Sequence, residues 1–259
     1  MNTFAESKTN KIKSIKILPG RNKTGKSESH EVLLEMGKIT AIVGPTGSGK
    51  SRLLEDIECL AQRDTPTRRK ILVDGEEPSY DARFSCEGRL IAQLSQNMNY
   101  VMDLSVQEFL TMHAESKLAD NVENLVETVF EKANNLAGEP FFKDTPVTQL
   151  SGGQSRALMI ADTALLSQAP IILIDEIENA GVDKGKALEL LIDNNKIVLI
   201  ATHDPYLALC ADQRIIIKNG GIEKIIKTTG NEQKKLIKLK ELEETLNSLR
   251  NSLRRGDIL

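Results

Sequence analysis

The stretch Ile39-Thr40-Ala41-Ile42-Val43-Gly44-Pro45-Thr46-Gly47-Ser48-Gly49-Lys50-Ser51 decides the fold. An apolar run from Ile39 to Val43 reads as a buried strand, and a helical pattern follows from Lys50 to Leu60. Between them, Gly44 to Ser51 fits the pattern Gly-x-x-x-x-Gly-Lys-Ser/Thr in the strand–turn–helix setting that gives it meaning. The four fixed positions alone would arise by accident in about one such chain in a hundred. The glycines let backbone N–H groups turn inward around phosphate oxygens, the helix start adds its positive end, and Lys50 adds a point charge for the outer phosphates. Ser51 is placed to hold Mg²⁺.

Working outward, further apolar runs at Ile71 to Val73, Leu90 to Leu94, Ile171 to Ile174 and Ile197 to Ala201 read as strands. Helical patterns at Val122 to Leu136, Gln154 to Leu166 and Lys184 to Asp193 lie among them. Such alternation predicts an α/β fold, a parallel sheet with flanking helices, and the phosphate loop at Gly44 to Ser51 makes it one of the P-loop NTPase type. Arg214 to Lys218 and Ile222 to Lys227 flank Asn219-Gly220-Gly221, which predicts an antiparallel edge. Residues 97–165 read as an inserted helical subdomain of a domain spanning 1–230, and residues 231–259 as a C-terminal amphipathic helix. In that helix Leu239, Leu242, Leu246, Leu249 and Leu253 recur at spacings of 3 and 4. Docking of this stripe on its own domain is the simpler expectation, and a coiled-coil partner is the other.

Composition narrows the function classes. A chain of 259 residues can bury one large core, and with three Tyr, six Phe and no Trp that core must be aliphatic. The same scarcity disfavours a platform of stacked rings for single-stranded nucleic acid, and the net charge of −3 gives no global basic field, so no direct nucleic-acid partner is expected. Lys8, Lys11, Lys13, Lys16, Arg21, Lys23 and Lys26 cluster near the start and read as a solvated edge and loop. Cys59, Cys86 and Cys210 are too scattered for a disulfide framework, and no apolar run reaches the length of a membrane span, so a cytoplasmic location is expected.

A second half of the phosphate site stands at Ile171-Ile172-Leu173-Ile174-Asp175-Glu176, an apolar strand ending in two carboxylates. Neighbouring residues at a strand end point different ways, so Asp175 is assigned to Mg²⁺ and Glu176 to the attacking water as general base. The next strand ends at Thr202-His203-Asp204, placing His203 where such sheets bind ligands.

Leu150-Ser151-Gly152-Gly153-Gln154 resembles the signature of ATP-binding cassette (ABC) ATPases. Physically it is a second anion-binding helix start. The resemblance implies that Ser151, Gly152, Gly153 and Gln154 close over ATP on the opposite subunit of a head-to-tail dimer. It further implies that Gln96, which precedes Leu104-Ser105-Val106 at the family's interval and is preferred to Gln93, contacts Mg²⁺ and the attacking water. His203 matches the family's switch histidine, and Asp183 the aspartate that crosses the dimer interface. The likeness runs from about Ile39 to Lys227.

Three departures stand out. Asp175-Glu176 continues as Ile177-Glu178-Asn179-Ala180-Gly181-Val182-Asp183, one residue longer than the usual form and without proline; the signature helix runs Gln154-Ser155-Arg156-Ala157, lacking the arginine often found three residues after the glutamine; and no Phe, Tyr or Trp lies between Ala5 and Ser79 to stack on adenine. The implied activity is ATP hydrolysis with ATP and Mg²⁺ as cofactors, in a dimer with a second copy or a homologous subunit. The expected role is the ATP-binding subunit of a membrane transporter, seated on an integral membrane partner at the cytoplasmic face. The alternatives are a soluble ABC ATPase that remodels or activates a cytosolic protein complex, and a phosphoryl-transferring kinase, against which the signature argues.

Overall fold

The computed structural model describes residues 12–84, 89–95, 98–119, 121–176, 181–193, 195–256 and 258. In chain order the first elements are β1 (Ser14–Leu18), β2 (Val32–Glu35), β3 (Ile39–Val43), α1 (Lys50–Glu58), β4 (Lys70–Val73), α2 (Tyr80–Phe84) and β5 (Ile91–Leu94). A helical stretch follows, α3 (Val106–Ser116), α4 (Val122–Leu136), a 3-10 turn at Val147–Gln149 and α5 (Gly152–Leu165). The rest is β6 (Ile171–Asp175), α6 (Lys184–Asp193), β7 (Ile197–Ala201), α7 (Pro205–Cys210), β8 (Gln213–Lys218), β9 (Gly221–Lys227) and α8 (Gly230–Arg255).

The main sheet runs β5-β6-β7-β3-β8-β9, parallel except for the β8–β9 hairpin at its edge. Its central strands β6, β7 and β3 are apolar because both faces are covered, apart from Asp175 at the end of β6 and the buried Thr40 of β3, whose hydroxyl accepts from the Gln213 side-chain amide at 3.0 Å. Ile172 and Ile174 of β6 and Val198 and Ile200 of β7 face a core shared with α3 to α7, while Ile171, Leu173, Ile197 and Leu199 face a core shared with α1 and the N-terminal strands. Burying each such side chain contributes about 1.5–3 kcal/mol. The hairpin turn places Asn219 and Gly220 at φ 50° and 79°, the left-handed pair that suits a two-residue connection.

Two expectations are corrected. Ile71 to Val73 does not join the parallel sheet: β4 pairs antiparallel with β1, which pairs antiparallel with β2, in a separate three-stranded sheet. Of the N-terminal basic cluster, Lys13, Arg21, Lys23 and Lys26 are exposed, as a solvated edge and loop requires, Lys8 and Lys11 lie outside the described residues, and Lys16 sits in the middle strand of this small sheet. In β1 the buried Ile15 and Ile17 alternate with the half-buried Lys16, and Val32 and Leu34 of β2 are buried beside them. The leucine stripe of α8 does not dock on its own domain either: Leu242, Leu246, Leu249 and Leu253 are exposed. Contact with the body lies toward the start of α8, where Glu232 accepts from Arg214 at 2.5 Å.

Behind the phosphate loop, Arg69 is fully buried and binds two carboxylates. Its Nη1 donates to Asp56 at 2.8 Å, Nε and Nη2 donate to Glu28 at 3.1 and 2.6 Å, and Nη2 also donates to the Gly220 carbonyl at 2.9 Å. One side chain thus ties the strand β4, the helix α1 and the β8–β9 turn together. Burial pushes the Glu28 carboxyl up, but the Arg69 guanidinium together with the N–H groups of Gly20 and Ile222 holds it below the ordinary 4.5. Because the folded value is depressed, the stabilisation is present above pH 4.5 and is lost as pH falls through the lower folded value. Arg69→Met leaves buried carboxylates without their cation and is expected to cost about 3–5 kcal/mol in urea unfolding at neutral pH. The deficit should shrink in acid, and one that stays constant to pH 3.5 would contradict the assignment.

Candidate nucleotide site

The phosphate loop begins where β3 ends and finishes as α1 starts. Gly49, the N-cap of α1, has φ 108°, and a Cβ there would lie 2.9 Å from the Cα of Gly220. At Gly44 a Cβ would meet the Ile217 carbonyl oxygen at 2.4 Å. The loop therefore sits tightly on the β8–β9 hairpin, and the Gly220 N–H donates to the Ser48 carbonyl at 2.7 Å. Gly49→Ala must both adopt a left-handed backbone and push the hairpin away. Weakened nucleotide binding is the expected result in calorimetric titration, and parent-like affinity would contradict this packing.

Lys50 lies at the loop mouth, almost fully buried. Its Nζ donates to the carbonyls of Gly44 at 3.0 Å and Pro45 at 3.4 Å and sits 2.8 Å from Nε2 of His203. A phosphate oxygen offers the same ammonium a charged acceptor in place of neutral ones. His203, just past β7, is also 3.7 Å from Glu176 Oε1. On the other side of the mouth, the Ser51 hydroxyl donates to Asp175 Oδ2 at 3.4 Å.

Glu176 is the residue at which the strand turns. Its φ is 53°, uncommon for a residue with a Cβ, and its N–H donates to the Ala201 carbonyl at 3.0 Å. The turn separates the two acids, so Asp175 faces Ser51 and Glu176 faces His203. Strain of this kind, of order 1–3 kcal/mol, gathers at functional sites. Lys50, Ser51, Asp175, Glu176 and His203, predicted from separate stretches, therefore meet around one mouth.

Other expected residues stand apart from it. Ser151 caps α5: its hydroxyl accepts from the Gln154 N–H at 3.3 Å, the Gln154 side-chain oxygen accepts from the Ser151 N–H at 2.9 Å, and the Gln154 amide donates to the Pro140 carbonyl at 3.1 Å. A Cβ on Gly152 would meet nothing, so this helix start presents an open backbone surface. Asp183 precedes α6, where its carboxylate accepts from the Lys186 N–H at 3.1 Å. Gln96 lies outside the described residues, as do residues 177–180. Sequence reasoning missed Lys23, whose Nζ donates to the Gly47 carbonyl at 2.7 Å and whose N–H donates to the Asn219 carbonyl at 2.9 Å. Nothing in local sequence marks it off from the other lysines of the N-terminal cluster.

The residues present fit a nucleotide triphosphate with Mg²⁺. The Ser48 hydroxyl is buried in the loop without a hydrogen-bond partner, the loop carries a near-buried cation, and Ser51 with Asp175 offers the hard oxygen donors that Mg²⁺ takes.

Comparison with known proteins agrees. The model of the ABC transporter family matches residues 17–179. An uncharacterized ABC transporter ATP-binding protein of Methanocaldococcus jannaschii is 53% identical over 96% of this chain and 95% of its own length. The chain belongs to the ABC transporter family. As a member it is an ABC-type ATPase whose cofactors are ATP and Mg²⁺. The macrolide export ATP-binding/permease protein MacB of Campylobacter fetus is 31% identical over 84% of this ABC ATPase, which spans about a third (34%) of that protein's length. The fold is likewise that of an ATP-binding cassette solved as a dimer in a post-hydrolysis state bound to ADP and Pi, with a TM-score of 0.61 and 24% identity over 83% of this chain and 99% of that one. The family match begins at residue 17, inside β1, so the likeness starts earlier than Ile39.

Proposed function

We propose that this cassette hydrolyses MgATP in a head-to-tail dimer and transmits closure of that dimer to an integral membrane partner at the cytoplasmic face. The observation that carries the reading is the division of labour between two anion-ready helix starts. The mouth of the Gly44–Ser51 loop gathers Lys50, Ser51, Asp175, Glu176 and His203, whereas the Ser151–Gln154 helix start stands apart from that mouth, open at Gly152 and held by its own capping bonds and by the Glu139 and Pro140 carbonyls. A second copy facing the first would place its Ser151, Gly152, Gly153 and Gln154 over the nucleotide held by Gly44 to Ser51.

In this reading the N–H groups of Gly44 to Ser51 and the Lys50 ammonium hold the phosphates, and His203 contacts the outermost one. Mg²⁺, when bound by Ser51, Asp175 and Gln96, supplies neutralisation of phosphate charge. Glu176 accepts a proton from water as the water oxygen bonds to the γ-phosphorus, and the bond from that phosphorus to the ADP oxygen breaks. Asp183 meets the second copy. Residues 97–165 act as the helical subdomain that carries the signature, and residues 231–259 as a C-terminal extension.

The membrane partner is supported by exposed apolar residues between β5 and α3. Val101 is 91% exposed, Met98 and Met102 are exposed beside it, and Leu118 is exposed after α3. A cleft lined by Glu58, Gln93, Met98, Lys117 and Gln168 opens there. An apolar patch of this kind needs a partner, and among the described residues no helix is long and apolar enough to cross a membrane. The intact chain, recovered from detergent-solubilised membranes, should bring down an integral membrane protein and lose it on Val101→Asp. Recovery only with soluble proteins would sink the transporter reading.

A further inference from the structure

His203 stands between two residues that are both pinned. Thr202, fully buried just past β7, donates its N–H to the Ile42 carbonyl at 3.1 Å, and its hydroxyl accepts from the Asp204 N–H at 2.9 Å. Asp204 caps α7, where its Oδ1 accepts from the N–H groups of Tyr206 at 2.7 Å and Leu207 at 3.2 Å. A cap needs only one short oxygen acceptor, and asparagine or serine would serve as well. The second oxygen, Oδ2, is left over for another partner, and the Lys184 ammonium takes it.

Lys184 opens α6, directly after Asp183. Its pair with Asp204 is not a solvated surface pair, since the two side chains are 19% and 9% exposed. A second contact lies beside it. A Cβ on Gly185 would be 3.0 Å from the Tyr206 hydroxyl, so the first turns of α6 and α7 are closely packed. The C-terminal helix meets the same spot: α8 packs on α7 and brings Glu243 to 3.6 Å from the Lys184 Nζ.

We infer that Lys184 is a positioning residue for His203, acting through Asp204. With both neighbours held, the imidazole keeps its Nε2 at the phosphate-loop mouth, 2.8 Å from Lys50 Nζ and 3.7 Å from Glu176 Oε1. Without the ammonium, the largely buried Asp204 carboxylate would turn toward water, and the backbone at His203 would shift with it. This inference rests on the reading that His203 contacts the outermost phosphate. A shift at His203 is then felt only by a nucleotide that carries that phosphate. ATP should be affected and ADP spared, which a general loosening of the fold would not do.

Calorimetric titration of the full chain with ADP and with β,γ-imido-ATP, which resists hydrolysis, tests this through the ratio of the two affinities. Lys184→Met should weaken binding of the imido nucleotide by about three- to tenfold, part of the worth of one charged hydrogen bond, and leave ADP within about twofold. Asp204→Asn keeps the cap of α7 and loses only the charge pair, so it should move the ratio the same way. Lys184→Arg keeps the cation and should keep the parent ratio. Added to His203→Ala, Lys184→Met should change the ratio no further. Equal weakening of both nucleotides, a parent-like ratio in Lys184→Met or Asp204→Asn, or the same shift with and without His203 would overturn the inference. His203→Ala alone separates it from the reading beneath. A parent-like ratio there would remove His203 from the outermost phosphate, and the positioning role with it. A shifted ratio there beside a parent-like one in Lys184→Met would overturn the positioning role alone.

Discussion

Glu176→Gln is expected to lower steady-state ATP hydrolysis by about 10²–10⁴-fold, the usual worth of a positioned general base. The amide cannot accept the proton of the attacking water, yet it is nearly isosteric and leaves the phosphate grip of Lys50, Ser51 and the loop backbone intact. Binding and catalysis should therefore separate: ATP binds, the dimer closes, and the product-forming step that would reopen it stalls. The left-handed backbone at residue 176 gives this substitution its specificity, because Asp175 and Glu176 are turned toward different partners, Ser51 and His203. Measured turnover of radiolabelled ATP beside nucleotide retention checks it. Hydrolysis at the parent rate would remove Glu176 from the role of base.

Lys50→Ala should act one step earlier. The Lys50 ammonium is almost buried and is held among the Gly44 carbonyl, the Pro45 carbonyl and His203, all at the loop mouth. Charged hydrogen bonds contribute about 1.5–3 kcal/mol each, so losing the side chain is expected to weaken ATP binding by about 10- to 100-fold. The fold should tolerate the change, since the lysine's partners are loop carbonyls and a histidine at the surface of the mouth. Calorimetric titration with ATP under conditions that prevent turnover reads the effect directly. Unchanged affinity would mean that Gly44 to Ser51 does not hold the phosphates.

How far sequence reached depended on which faces were buried. The runs at Ile39 to Val43, Ile171 to Ile174 and Ile197 to Ala201 were legible because strands covered on both sides are apolar at nearly every position, Thr40 being the exception among these three. The Ile15-Lys16-Ile17 alternation of β1 carries a half-buried strand signal, but the surrounding lysines hide it in a count of charge. The membership of β4 in a separate sheet was not legible, since its partner β1 lies more than fifty residues earlier and periodicity does not report pairing. In the site, the residues around Lys50 and Asp175 follow from patterns whose chemistry is local. Lys23 and the Arg69–Glu28–Asp56 cluster arise from tertiary approach, and single polar residues of this kind look like any other surface charge until the fold brings them together.

The central claim, that Ser151 to Gln154 of one copy seal ATP on the other, is tested most directly by the rate at which bound ATP leaves. Glu176→Gln should retain two ATP per dimer and release them at least about tenfold more slowly than an open monomer would. Adding Gly152→Asp puts a negative charge where the open helix start would meet the second copy's phosphates, and should restore fast release while the monomer still binds ATP. Slow release that survives Gly152→Asp would contradict closure through this element.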